Sequence, residues 1–169
     1  MIRALPTVEV GPTGDVLGTA LWLHGLGADG HDFESLVPLL ELPRVRFVFP
    51  NAPSRPVTVN GGMRMPAWYD IRGLGEQRGV EDAEGIRASA QQIAALIARE
   101  GTRGVPPSRV ILAGFSQGGS LALYEGTRYP ESLLGIMVLS GYLVLPETHE
   151  AEAHPANART PMLFCHGTL

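Results

Sequence analysis

Residues 109–123 read RVILAGFSQGGSLAL: an apolar run enters Gly114-Phe115-Ser116-Gln117-Gly118 and continues at once as a helical pattern. This Gly-x-Ser-x-Gly stretch, set between a buried strand and a helix, leaves the chain few ways to fold. The strand carries no charge within its run and so needs cover on both faces. The helix must turn back over it through a tight turn. The glycines two residues either side of the serine suit places where the two backbones pass too closely for side chains. Such a turn holds Ser116 Oγ at the carboxyl end of a sheet, with a helix amino terminus behind it. The Gln117 N–H can then face an oxyanion as it forms.

The rest of the chain repeats the strand-then-helix rhythm, which predicts a mostly parallel sheet flanked by helices, an α/β fold. Strands are expected at 19–24 (TALWLH), 44–50 (RVRFVFP), 109–114 (RVILAG), 134–140 (LGIMVLS) and 161–166 (PMLFCH), with a weaker one within 2–10. Ile86, Ala90, Ile93 and Ile97 form one apolar stripe and predict a helix over 80–100, stopped by Gly101 and Gly104. A second helix is expected from about Gly118 to Arg128 and a shorter one at 32–40. Length, 169 residues, fits a single domain over 1–169.

Composition removes several function classes. All thirteen basic residues are arginines scattered singly in a chain of net charge −4, so no basic patch is set out for nucleic acid or a membrane surface. No apolar run approaches the roughly 20 residues of a membrane span, and the amino-terminal residues show no secretory pattern. The lone Cys165 allows no intramolecular disulfide. A cytoplasmic location is the expectation. Cys165 itself, beside His166 on a strand, points to the opposite face from it and reads as a buried packing thiol.

The segment ALWLHGLGADGHDF supports two readings. Gly25-Leu26-Gly27-Ala28-Asp29-Gly30 matches G-x-G-x-x-G after a strand, the dinucleotide fingerprint of an oxidoreductase. That reading needs an acidic residue about 20 positions on, where the chain instead has Pro50 and Asn51. In the other reading, His24-Gly25 ends a strand and the Leu26 N–H supplies a second oxyanion donor beside that of Gln117. Between Asn51 and Gly79 the chain is rich in proline and glycine, yet it holds Met63, Met65, Trp68 and Tyr69. A loop of this length is a surface excursion packed on its own aromatics or the wall of a pocket.

Taken in order, HGLG, PNAP, WYD, GFSQGG and a late HG resemble the phospholipase/carboxylesterase family of α/β-hydrolases, across essentially the whole chain. The resemblance implies Ser116 as nucleophile, the Leu26 and Gln117 amides as oxyanion hole, and Met63, Met65, Trp68 and Tyr69 bordering an acyl pocket. It implies no cofactor, no metal, and a small-molecule acyl ester or thioester as substrate. In the family the late motif reads HG-x-x-D, and the acid and the histidine of the triad come at and after that aspartate. Here the chain ends at His166-Gly167-Thr168-Leu169, so the expected fold lacks its last strand and helix and the expected hydrolysis is weak.

His166, at the level of Ser116 on the sheet, is the candidate substitute base. His149 and His154 lie in ETHEAEAH, five apart and about 140° around a helix, so they do not form a ligand pair, and a solvated acidic loop is expected there. Strand 161–166 would leave an apolar edge open to another chain, which predicts a homo-oligomer. An inactive scaffold that binds acyl chains or partners is the non-enzyme alternative.

Overall fold

Strand β2 (Gly18–Leu23) is buried along its whole length and lies in the interior of the sheet, with Ala20–Leu23 apolar throughout. The structure, a computed structural model, describes residues 4–12, 14–73 and 80–168. Residues 2–3 of the expected first strand and 74–79 of the long loop lie outside these. Around β2 stand β1 (Thr7–Val10), β3 (Val45–Pro50), β6 (Val110–Phe115), β7 (Gly135–Leu139) and β8 (Met162–Cys165), in the order β1-β3-β2-β6-β7-β8. All neighbours run parallel except β1, which pairs antiparallel with β3. This is the α/β-hydrolase arrangement.

Alternation along β2 sends Leu21 and Leu23 to one face and Ala20 and Trp22 to the other. The first face is covered by α1 (Ala83–Thr102) and α2 (Gln117–Arg128). The stripe Ile86, Ala90, Ile93 and Ile97 is at most 4% exposed and forms the contact. Asp82 caps α1 by accepting from the Gly85 amide, so the helix begins three residues later than periodicity alone suggests. The second face packs Trp22, Phe47 and Phe49 under Phe33 and Val37. The expected helix at 32–40 is a 3₁₀ segment, Glu34–Leu40, which contains Pro38 and has no side chain capping its amino terminus.

Two elements differ from expectation. The long loop contains a hairpin, β4 (Ser54–Val57) paired antiparallel with β5 (Met63–Pro66). Pro56 and Pro66 weakened its strand signal, but an isolated two-stranded ribbon leaves one edge of each strand unpaired and tolerates them. The acidic tract expected as a solvated loop begins with a short helix, α3 (Pro146–Glu152). Glu152 anchors it by accepting from Arg128 Nε at 2.8 Å and from Arg87 at 3.1 Å. Cys165 is exposed rather than buried, because β8 is an edge strand whose four residues are all exposed.

A buried carboxylate fastens α1 to the sheet. Glu100, with no exposure, accepts from Thr19 Oγ1 at 2.9 Å and Arg46 at 2.8 Å on one oxygen, and from Arg103 at 2.8 Å on the other. Arg103 and Arg99 continue to Glu9 on β1, each at 2.9 Å. Burial alone would raise the Glu100 carboxyl, but the hydrogen bonds from Arg46 and Thr19 and the charge of Arg103 outweigh it and hold the group low. Arg46→Met strands part of this buried charge and is expected to cost about 3–5 kcal/mol, read from urea unfolding of the variant against the parent chain.

Candidate active site

The register that pairs Leu23 with Gly114 brings the ends of β2 and β6 side by side, and both candidate loops leave from there. At the end of β6 the backbone turns through Ser116 with φ 53° and ψ −118°, a conformation rare for a residue with a side chain. Such strain costs about 1–3 kcal/mol and persists only where the surroundings enforce it. Close backbone packing enforces it here. A Cβ on Gly114 would collide with the Gly118 carbonyl. One on Gly118 would stand 2.5 Å from the His24 carbonyl oxygen, and one on Gly119 2.9 Å from that of Gly114. Ser116 donates its own amide to Leu139 O at 2.8 Å, pinning the turn to β7.

Ser116 Oγ is left half-buried and without a hydrogen bond among the described residues. Gln117 is the first residue of α2, where an amide has no intrahelical acceptor. Its N–H and that of Leu26 both lack a protein acceptor among the described residues. The loop bearing Leu26 runs directly beside the serine: a Cβ on Gly25 would lie 3.6 Å from Ser116 Cβ. An unpaired amide at the start of α2 and another on the neighbouring loop thus lie on the two elements that meet at a free hydroxyl, a setting that can stabilise negative charge on an oxygen bound there.

His24, 2% exposed, holds the base of this loop. The Ala52 amide donates to its Nε2 at 3.1 Å, so the ring proton is on Nδ1, which donates to Gly25 O at 2.7 Å. Burial lowers its pKa, against the opposing pull of the Gly25 carbonyl, Asp29 and Asp32. Asn51 accepts from the Gly30 amide at 2.8 Å and ties the far end of the loop to the same segment. Sequence reading did not assign Asn51 a role, though its place in PNAP was visible.

The pocket candidates divide. Met63 is 65% exposed on the hairpin. Met65 is half-buried, with its sulfur 3.8 Å from where a Gly27 Cβ would be, so it overhangs the loop after β2. Trp68 and Tyr69 are 0% and 3% exposed and belong to the core under the site, not to an open wall. Hydrogen bonding explains their position: the Trp68 indole donates to His24 O, and its carbonyl accepts from Ser89 Oγ.

His166 follows the end of β8, with β7 between that strand and β6. It is exposed, and its Nδ1 lies 3.3 Å from Gly167 O rather than against Ser116. His154 accepts from the Ala156 amide, and no cluster of His, Cys, Asp or Glu among the described residues is arranged for a metal.

A sequence profile of the phospholipase/carboxylesterase family matches residues 10–169. The chain belongs to this family. By that membership it is a carboxylic ester hydrolase. The dinucleotide reading of Gly25–Gly30 gives way to a loop set beside a serine. It is 38% identical to acyl-protein thioesterase 1 of Schizosaccharomyces pombe over 99% of its own length and 75% of that protein. To the acyl-protein thioesterase 1 of Yarrowia lipolytica it is 38% identical, covering 96% of the chain and 74% of the relative. The structure of Zea mays acyl-protein thioesterase 2 aligns with TM-score 0.81 at 35% identity, over 96% of this chain and 75% of that one. No helix among the described residues is long and apolar enough to cross a membrane.

The His24 geometry sets a pH dependence. A protonated ring would present a second donor to the Ala52 amide, so the native state resists protonation. The unfolded chain takes up the proton near the ordinary value of about 6.5. This part of the stability is complete above that pH and is lost as pH falls through the window between the unfolded and the lower native value. The urea midpoint measured from pH 7.5 to 5 is expected to decline in the parent chain. In His24→Asn that component of the slope should be missing.

Proposed function

We propose that the chain is a serine carboxylesterase acting on short- to medium-chain acyl esters, and on acyl thioesters, through an acyl-serine intermediate. The observation that carries this reading is the forced backbone of Ser116, which sets a free hydroxyl among two unpaired amides. Ser116 Oγ attacks the carbonyl carbon and the carbonyl oxygen becomes the oxyanion. The Leu26 and Gln117 amides donate to it, supported by the amino terminus of α2. Collapse of the tetrahedral intermediate expels the alcohol or thiol, and water then releases the acid from Ser116. Met65 and the exposed Met63 offer flexible apolar surface to the acyl group. The thioester part of the reading is supported by relatives named acyl-protein thioesterase.

Serine attack needs a base. His24 is engaged at both nitrogens, and His166 follows β8, with β7 between that strand and the one that leads into Ser116. The 169-residue chain by itself is therefore expected to turn over slowly, at the residual of about 10³–10⁴ over water that an oxyanion hole and binding supply without the triad partners.

Hydrolysis of a short-chain aryl ester and of an acyl thioester, with Ser116→Ala alongside, tests the reading. The expected outcome is that all turnover above background disappears in the variant. Equal rates in both chains would overturn the proposal, and undiminished acyl-ligand binding by Ser116→Ala would then favour a binding scaffold. A second proposal concerns β8, whose Met162, Leu163 and Phe164 are 41%, 54% and 55% exposed. Such an edge pairs with another strand. We expect the 169-residue chain to self-associate in light scattering after size exclusion, and a monodisperse monomer would contradict this.

A further inference from the structure

The two amides beside Ser116 come from elements far apart in sequence, the loop after β2 and the first residue of α2. Neither is bound to the other among the described residues. One short segment, Pro66–Tyr69, is bonded to both. Towards α2, the Gln117 side chain is spent entirely on this segment: its Oε1 accepts from Trp68 N at 2.9 Å and its Nε2 donates to Tyr69 O at 2.7 Å. Towards the loop after β2, Gly27 donates its amide to Pro66 O at 2.9 Å, and the Trp68 indole donates to His24 O at 2.8 Å. These two bonds fall on either side of Leu26. Behind the segment, Ser89 on α1 donates to Trp68 O and Pro53 O accepts from the Ala67 amide, so it has no freedom to drift.

We propose that Pro66–Tyr69 is a strap that fixes the Leu26 and Gln117 amides relative to one another, with the Gln117 carboxamide and the Trp68 indole as its positioning groups. The proposal rests on the hydrolase reading for its consequence in catalysis, but not for its consequence in structure. It gives Gln117 two separate functions. Its backbone amide faces the reacting oxygen, while its side chain turns the other way and holds the opposite half of the site. A carboxamide is needed because the strap presents one donor and one acceptor in succession, and the uncharged Gln side chain matches both. Both partners are buried, so losing either bond leaves an unsatisfied polar group rather than one that water repairs. It also explains why an indole with no exposure lies against the loop after β2: its N–H bonds His24 O, and its ring lies tilted on the His24 ring at 5.1 Å between centroids.

The test uses Gln117→Met, which keeps the length of the side chain and removes both bonds, and Trp68→Phe, which keeps an aromatic ring and removes one. Arg46→Met serves as a control that destabilises the sheet at a distance from the strap. Amide hydrogen exchange is followed over residues 24–30 by mass spectrometry under conditions where near-ultraviolet circular dichroism reports a folded chain. Serine-dependent ester hydrolysis is measured in parallel.

Both strap variants are expected to accelerate exchange over 24–30 by about tenfold or more beyond the control. They should lower kcat by about tenfold with KM little changed, less than the roughly 10²–10³ expected for deleting an oxyanion donor outright. Exchange over 24–30 that stays at the parent rate, or that rises only as much as in Arg46→Met, overturns the strap. If parent and Ser116→Ala hydrolyse equally, the hydrolase reading fails while the exchange data still decide the strap. Should Gln117→Met not fold, Trp68→Phe decides alone, because it loses a single hydrogen bond.

Discussion

Backbone against backbone at the junction of β6 and α2 is the constraint on which the rest of the site depends. Three glycines, Gly114, Gly118 and Gly119, let strand and helix approach at distances no side chain allows. That approach forces Ser116 through a positive φ and leaves the first turn of α2 open at the carboxyl edge of the sheet. The strain is local, and the structures that enforce it are not. Leu23 and His24 supply the carbonyls that Gly118 approaches, and Leu139 accepts the Ser116 amide, so β2 and β7 are parts of the turn as much as β6 is.

Polar groups buried in the molecule serve two separate ends. Far from the serine, Glu100 gathers Thr19, Arg46 and Arg103 and makes α1 rigid against β1, β2 and β3. The Glu100 charge is met by three donors, two of them arginines, which is the condition under which buried charge is tolerated. Close to the serine the buried polar groups are neutral: His24 in its uncharged form, the Trp68 indole and the Gln117 carboxamide. A fixed cation or anion there would impose its own field on an oxyanion. The neutral groups found there hold their segments by hydrogen bonds without doing so.

Much of the fold was legible because its signals are local. The apolar runs of β2, β3, β6 and β7 and the stripe of α1 needed only periodicity and flanking glycines. The β4–β5 hairpin was not, since Pro56 and Pro66 argue against a strand unless the strand is known to lie in an isolated ribbon. The helix at Pro146–Glu152 was missed for a related reason. It is seven residues long, with too few turns to show an apolar face, and is held by Arg128 and Arg87 from other elements. Trp68 and Tyr69 were visible as unusual aromatics in a loop, but whether they face inwards or line an opening depends on partners forty-odd residues away.

What the residues alone determined was the geometry at one point: a serine between glycines at a strand–helix turn, where steric exclusion leaves the backbone few choices. The tertiary structure decided the rest of the site. It set Leu26 beside Ser116 through the register of β2 on β6, turned Trp68 into the core, and committed both ends of the Gln117 side chain to one strap. It also placed His166, the candidate substitute base, after β8 with β7 between that strand and β6. These outcomes depend on which backbone groups are left unpaired once the sheet has closed, and no local pattern of residues carries that information.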